Sequence, residues 1–214
     1  MEYEELLETE DQPKDKRKKV IKQILVVVCL LLVCVILAYV LSRVMFVTIK
    51  VDGESMVPTL QDEDMMLLYK LGSYKHGDVV VFESGMINQY GRERVFVKRV
   101  IGLPGDTVEI KQSPDGEFNV YRNGEKLIED YITNQFTNPY LRGPVVVPEG
   151  KFYYLGDNRN NSSDSEDNRG EGDVMWGELN KIIGRVIIKY HGNSFFDNTA
   201  TIPRVKNNKL PQFI

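Results

Sequence analysis

The chain has 214 residues, 42% of them hydrophobic and 27% charged, with a formal charge of −4. That length holds one globular domain plus an anchor, and the acidic balance gives no reason to expect a nucleic-acid partner, whose backbone requires a basic surface. Both cysteines, Cys29 and Cys34, fall inside one apolar run, and His76 and His191 are the sole histidines. No disulfide is therefore possible elsewhere, and neither a histidine-rich metal site nor a cofactor is expected.

Residues 1 to 13 are polar and acidic and lack apolar periodicity, as in a disordered tail. Lys14, Lys16, Arg17, Lys18, Lys19 and Lys22 follow, and then an uncharged stretch from Ile24 to Leu41. At ~1.5 Å per residue this stretch approaches the ~30 Å hydrocarbon thickness of a bilayer, and Met45 to Val47 can extend it. A cleavable signal peptide would have a shorter apolar core and an A-x-A-like site, which Ala38-Tyr39-Val40 matches poorly. The flanking cations favour the cytoplasmic side. The expected layout is a cytoplasmic tail over residues 1–22, a single-pass cell-membrane anchor over 23–47, an extracytoplasmic domain over 48–200 and a C-terminal tail over 201–214.

After Lys50 short apolar stretches alternate with turn signals. Phe46 to Val51, Met65 to Tyr69, Asp78 to Phe82, Arg94 to Ile101, Thr107 to Lys111, Glu117 to Arg122, Phe152 to Leu155 and Ile182 to Tyr190 read as strands. Between them lie Lys75-His76-Gly77-Asp78, Leu103-Pro104-Gly105-Asp106, Ser113-Pro114-Asp115-Gly116 and Asn123-Gly124, the last a type I′ hairpin turn. No sustained helical periodicity follows residue 50, so the domain is expected to be mainly β.

Ser55 sits in a turn-prone context, Gly53-Glu54-Ser55-Met56-Val57-Pro58. It is not a Gly-x-Ser-x-Gly elbow, because Val57 stands where the second glycine belongs. A serine nucleophile needs a base. His76 belongs to a turn, and His191 follows the last strong strand. Lys98 is the better candidate: strand parity places it between Phe96 and Val100, with Val97 and Ile101 making the other face apolar. An ammonium held there loses solvation, and the neutral amine becomes accessible near neutral pH. The polar stretch from Gly156 to Ser165 is a third element. A calcium loop built on Asp164, Glu166 and Asn168 would place Arg169 where glycine is required.

Four segments in this order resemble the type I signal peptidases, the single-anchor form of Gram-positive bacteria: Ser55 to Leu60, Gly77 to Phe82, Val97 to Asp106, and Gly156 to Ser165. The resemblance implies an antiparallel β-sheet protease domain with a small β cap, here about residues 107–149. It implies Ser55 as nucleophile and Lys98 as general base, with Ser162 hydrogen-bonded to the lysine and Asp157, Arg99 and Asp164 organising the site. Val51, Met56, Leu60, Phe96 and Val97 match positions near the substrate pockets. The implied substrates are the signal peptides of secreted preproteins, met at the membrane surface, with membrane lipids as the other partner.

Two departures stand out. Gly53 occupies a position where some relatives carry a hydroxyl that donates to the oxyanion. Glu166 occupies a position where arginine is common, leaving Arg169 or Arg159 to partner Asp164. A catalytically silent homologue that assembles surface structures is the rival reading, kept open by Glu166. A soluble Ser-Lys autoprotease of the repressor type is disfavoured by the anchor.

Overall fold

The structure is a computed structural model and describes residues 12–137, 139, 143–165, 175–190 and 199–201. Two compact units divide at Met45. The first is α1, Gln12–Met45, within which Arg17–Met45 is long and apolar enough to cross a membrane. The helix ends two residues earlier than the predicted anchor. Phe46 and Val47 open β1, Phe46–Lys50, whose β-branched and aromatic residues take up pairing with the next strand.

The second unit is antiparallel β. After β1 come β2 (Met65–Tyr69), β3 (Val79–Ile87), β4 (Glu93–Gly102), β5 (Thr107–Gln112) and β6 (Phe118–Arg122). Then follow β7 (Glu125–Lys126), β8 (Val145–Val146), β9 (Lys151–Leu155), β10 (Gly177–Glu178), β11 (Ile182–Tyr190) and β12 (Thr199–Thr201). The larger sheet has the order β1-β2-β11-β3-β4-β9-β10, with β12 added to β11, and the smaller runs β7-β6-β5-β8. The Asn123-Gly124 turn forms as the sequence predicts. Both residues have positive φ, 53° and 82°, and join β6 to β7 with Arg122 facing Glu125.

The run Val79-Val80-Val81-Phe82 is continuously apolar because β3 is covered on both faces. Val79 and Val81 pack with Val51, Met56, Leu60, Met66, Leu68 and Val186. Val80 and Phe82 pack with Phe96, Val100, Phe152 and Tyr154, where Phe82 meets Phe152 and Tyr154 edge-on at 5.0 and 4.9 Å. A third cluster joins Tyr153 and Leu155 of β9 to Ile101, Val108, Ile110 and Val120. Two strand edges bear on the site. Among the described residues β1 is the terminal strand of its sheet. β4 meets β9 only from Arg99 onward, so among the described residues 93–98 of β4 pair only with β3.

Candidate active site

Lys98 is carried by this central strand. Its neighbours Phe96 and Val100 share its face, as strand parity predicts, and its Nζ lies 5.3 Å from the centre of the Phe96 ring. The residue is 3% exposed. Burial pulls its pKa down from 10.5 to about 8; Asp164 and Asp157 raise it, and Arg94 lowers it.

Ser55 comes from the loop that follows β1. The loop is pinched at its base, where Val51 N–H donates to Asp64 O at 2.7 Å and Glu63 N–H to Val51 O at 3.2 Å. A turn with Leu60 N–H donating to Met56 O at 2.9 Å sends Met56 and Leu60 into the core. The Thr59 hydroxyl donates to Asp157. The loop is thus fastened from within, and Ser55 is left at the wall of a groove of about 770 Å³. There Lys98 Nζ donates to Ser55 Oγ at 2.6 Å.

Behind the pair, Arg99 and Asp157 form an ion pair whose side chains are 0% exposed, with Nε and a terminal nitrogen donating to the two carboxylate oxygens at 2.8 and 2.5 Å. Arg99 also donates to Gly77 O at 2.9 Å and to Thr59 Oγ1 at 3.3 Å. Gly156 must lack a side chain: a Cβ there would stand 2.5 Å from Ser55 O and 2.2 Å from Ser162 Oγ. Asn158 N–H donates to Ser55 O at 3.0 Å, and Gly156 N–H to Asp164 at 3.0 Å. The Gly53 N–H is taken by Asp62 at 2.8 Å.

The structure therefore brings together Ser55, Lys98, Arg99, Asp157 and Asp164. Ser162 lines the groove, but its Oγ is buried without a hydrogen-bond partner, so the implied contact to Lys98 is not made. Val51, Phe96 and Val97 line the groove. Met56 and Leu60 do not; both are fully buried in the core, where the turn after Ser55 sends them. Ile49, Met66 and Val81 line it instead and were missed. Ile49 was legible, lying two residues from Val51 on one strand face; Met66 and Val81 depend on sheet pairing. Glu166 and Arg169 lie outside the described residues. Arg159 does not serve Asp164 as a substitute cation through any bond described: its terminal nitrogens go to Glu129.

Arg94 also faces the groove, two positions before Phe96, with its guanidinium 5.2 Å from that ring. Arg94→Gln removes a cation that disfavours the charged amine, so the Lys98 pKa should rise. The acid limb of the pH–rate profile should move to higher pH, read from initial rates on a peptide substrate; an unmoved or lowered limb would contradict this electrostatic arrangement.

The sequence profile of the family described as signal peptidase, peptidase S26, matches residues 17–191. Signal peptidase I of Bacillus licheniformis is 33% identical over 76% of this chain and 86% of its own. That of Bacillus amyloliquefaciens is 36% identical over 65% and 76%. A solved signal peptidase I from Enterococcus faecalis V583 is 26% identical, covering 54% of this chain and 97% of that one, with a TM-score of 0.40, too low to bear on the assignment. The chain belongs to the signal peptidase family of S26 peptidases. It is a serine peptidase, a hydrolase, and the family's activity is signal peptide processing.

Proposed function

We propose that the protein is a Ser-Lys endopeptidase, anchored by α1 with its N-terminus cytoplasmic and its β domain outside, that removes signal peptides from preproteins at the membrane surface. The observation that carries this reading is the 2.6 Å contact between Lys98 Nζ and Ser55 Oγ in a groove. The basic cluster before the anchor supports the orientation.

With Lys98 neutral, its lone pair takes the Ser55 proton as Oγ attacks the scissile carbonyl. The Ser55 main-chain N–H is the candidate donor to the developing oxyanion. Protonated Lys98 gives its proton to the leaving amine, leaving an acyl-enzyme. Neutral again, it takes a proton from water, whose oxygen attacks the ester; the proton then returns to Ser55 and the signal peptide leaves as a carboxylate.

An extended substrate would pair with the open edges of β1 and of residues 93–98 of β4, both of which border the groove. Residues −1 and −3 from the cut then share a face. Val51, Phe96 and Val97 leave those pockets shallow, so alanine is expected at both positions and bulky residues are tolerated at −2. Proline at +1 should block cleavage. The test incubates detergent-solubilised protein and its Ser55→Ala form with a preprotein and a peptide series, with cuts mapped by mass spectrometry. Equal inactivity of both forms would favour the silent-homologue reading; efficient cutting after leucine or phenylalanine would refute the pocket geometry.

A further inference from the structure

Two loops set the geometry of the candidate site, and one segment outside both of them holds them. Arg159 donates through Nε to Gly156 O at 3.0 Å, and Gly156 is the residue packed against the Ser55 carbonyl. Its guanidinium is 0% exposed and is closed by Glu129, 3% exposed, which accepts at 2.5 and 3.0 Å. Burial alone would lower the Arg159 pKa, but Glu129 reverses the direction and holds the cation charged. Two residues on, the Tyr131 ring lies 3.8 Å from the Arg99 guanidinium carbon, and its hydroxyl donates to Glu129 at 2.5 Å. Burial, and then the Glu129 charge, push that phenol well up, so it stays a donor.

The same segment grips the loop again further along. Asn160 accepts from Thr137 N–H at 2.7 Å and donates to Gln135 O at 3.1 Å, and the Arg159 guanidinium lies 5.2 Å from the Phe136 ring. These contacts join residues 129–137, which follow β7, to the loop after β9. No residue of the 129–137 segment lines the groove.

We propose that Glu129 and Tyr131 are positioning residues: through Arg159–Gly156 and through Arg99–Asp157 they hold the two sides of the Ser55–Lys98 pair in register. The effect on turnover rests on the peptidase reading above. Glu129 acts on the loop that seats the nucleophile. Tyr131 acts on the arginine next to the lysine in sequence. A fold-supporting contact alone would lower stability with no preference between kcat and KM; a positioning contact is felt in kcat.

The test compares the full-length protein in detergent with Glu129→Gln, Glu129→Asp, Tyr131→Phe and, as a control on the exposed β7 edge, Glu125→Gln. Glu129→Gln should lower kcat about tenfold to a hundredfold, with KM within about twofold. Glu129→Asp should recover part of that loss, Tyr131→Phe should lose a few-fold, and Glu125→Gln should match the parent. Should Glu129→Gln fail to fold because Arg159 is left buried without its counter-charge, the pair Glu129→Leu with Arg159→Met removes both charges and should still show the kcat loss. Hydrogen exchange reads the brace without any substrate: the Asn158 amide, bonded to Ser55 O, should exchange faster in Glu129→Gln. Undiminished kcat in a folded Glu129 variant, a loss confined to KM, or unchanged exchange at Asn158 would overturn the proposal. An inactive parent protein would refute the peptidase reading, and the exchange experiment would still decide the brace.

Discussion

Lys98→Arg is expected to lower turnover by about 10²–10⁴-fold, the range a positioned general base contributes. The guanidinium stays protonated at every pH the protein survives and cannot accept the Ser55 proton. In the parent protein, log kcat/KM should rise with unit slope as pH approaches about 8 and level off above it, because burial has brought the Lys98 pKa down to that value. The same burial that assists the reaction costs stability. In the unfolded chain the amine keeps its proton to 10.5, so between about 8 and 10.5 the unfolded state binds more protons and stability rises with pH. Below about 8 the cost is fully present, ~3 kcal/mol at ~1.4 kcal/mol for each tenfold change. Lys98→Met, apolar and of similar length, should therefore be inactive yet melt higher than the parent at neutral pH. Its advantage should fade toward pH 10. Melting curves and initial rates over the same pH series check both halves. Near-parent rates in the Lys98→Arg enzyme, or a lower melting temperature for the Lys98→Met form at neutral pH, would defeat this account of the site.

Asp157→Asn is expected to be the most damaging isosteric change behind the groove. It removes the neutralising carboxylate 2.5 Å from an Arg99 side chain with 0% exposure. Breaking one side of such a pair costs ~3–5 kcal/mol, or a fall in Tm of ~6–20 °C for a domain of this size. Thr59 and Gly77 remain as partners for Arg99, so folding should survive at low temperature. Asp157 also raises the Lys98 pKa, and its loss should lower that pKa further. Whatever activity remains should then have its acid limb at lower pH than the parent. Calorimetry and a pH–rate profile decide the matter. A Tm within about 2 °C of the parent, or a limb displaced upward, would remove the role assigned to the pair.

The sequence made some features legible because they depend on nearest neighbours. The anchor helix follows from an unbroken apolar run, the β6–β7 turn from Asn123-Gly124, and the desolvation of Lys98 from Phe96 and Val100 on one strand face. Features that depend on pairing were not legible. The two-residue strands β8 and β10 carry too little pattern to register. Met56 and Leu60 were placed near the groove by resemblance alone, and their burial depends on how the turn after Ser55 packs against β2 and β3, which residue identity does not show. The partners of Arg159 show the same limit: Asp164 is near in sequence, whereas Glu129 is thirty residues away and is the carboxylate that Arg159 binds. The consequence of Glu166 belongs to residues outside those described.

An exposed ladder of amides and carbonyls has no lock of its own. Among the described residues β1 pairs on one side only and residues 93–98 of β4 pair only with β3, and such edges are templates for any extended chain that reaches them, a half-unfolded neighbour included. What can refuse an intruder is the rim. Lys50, Asp52, Glu54, Glu93 and Arg94 set both signs of charge around the opening, and a flat apolar strand entering there must strip water from them without offering partners. These five side chains border the groove and are expected to act as gatekeepers against self-association as well. Neutralising them together would yield edge-to-edge aggregates before it yielded a more permissive peptidase.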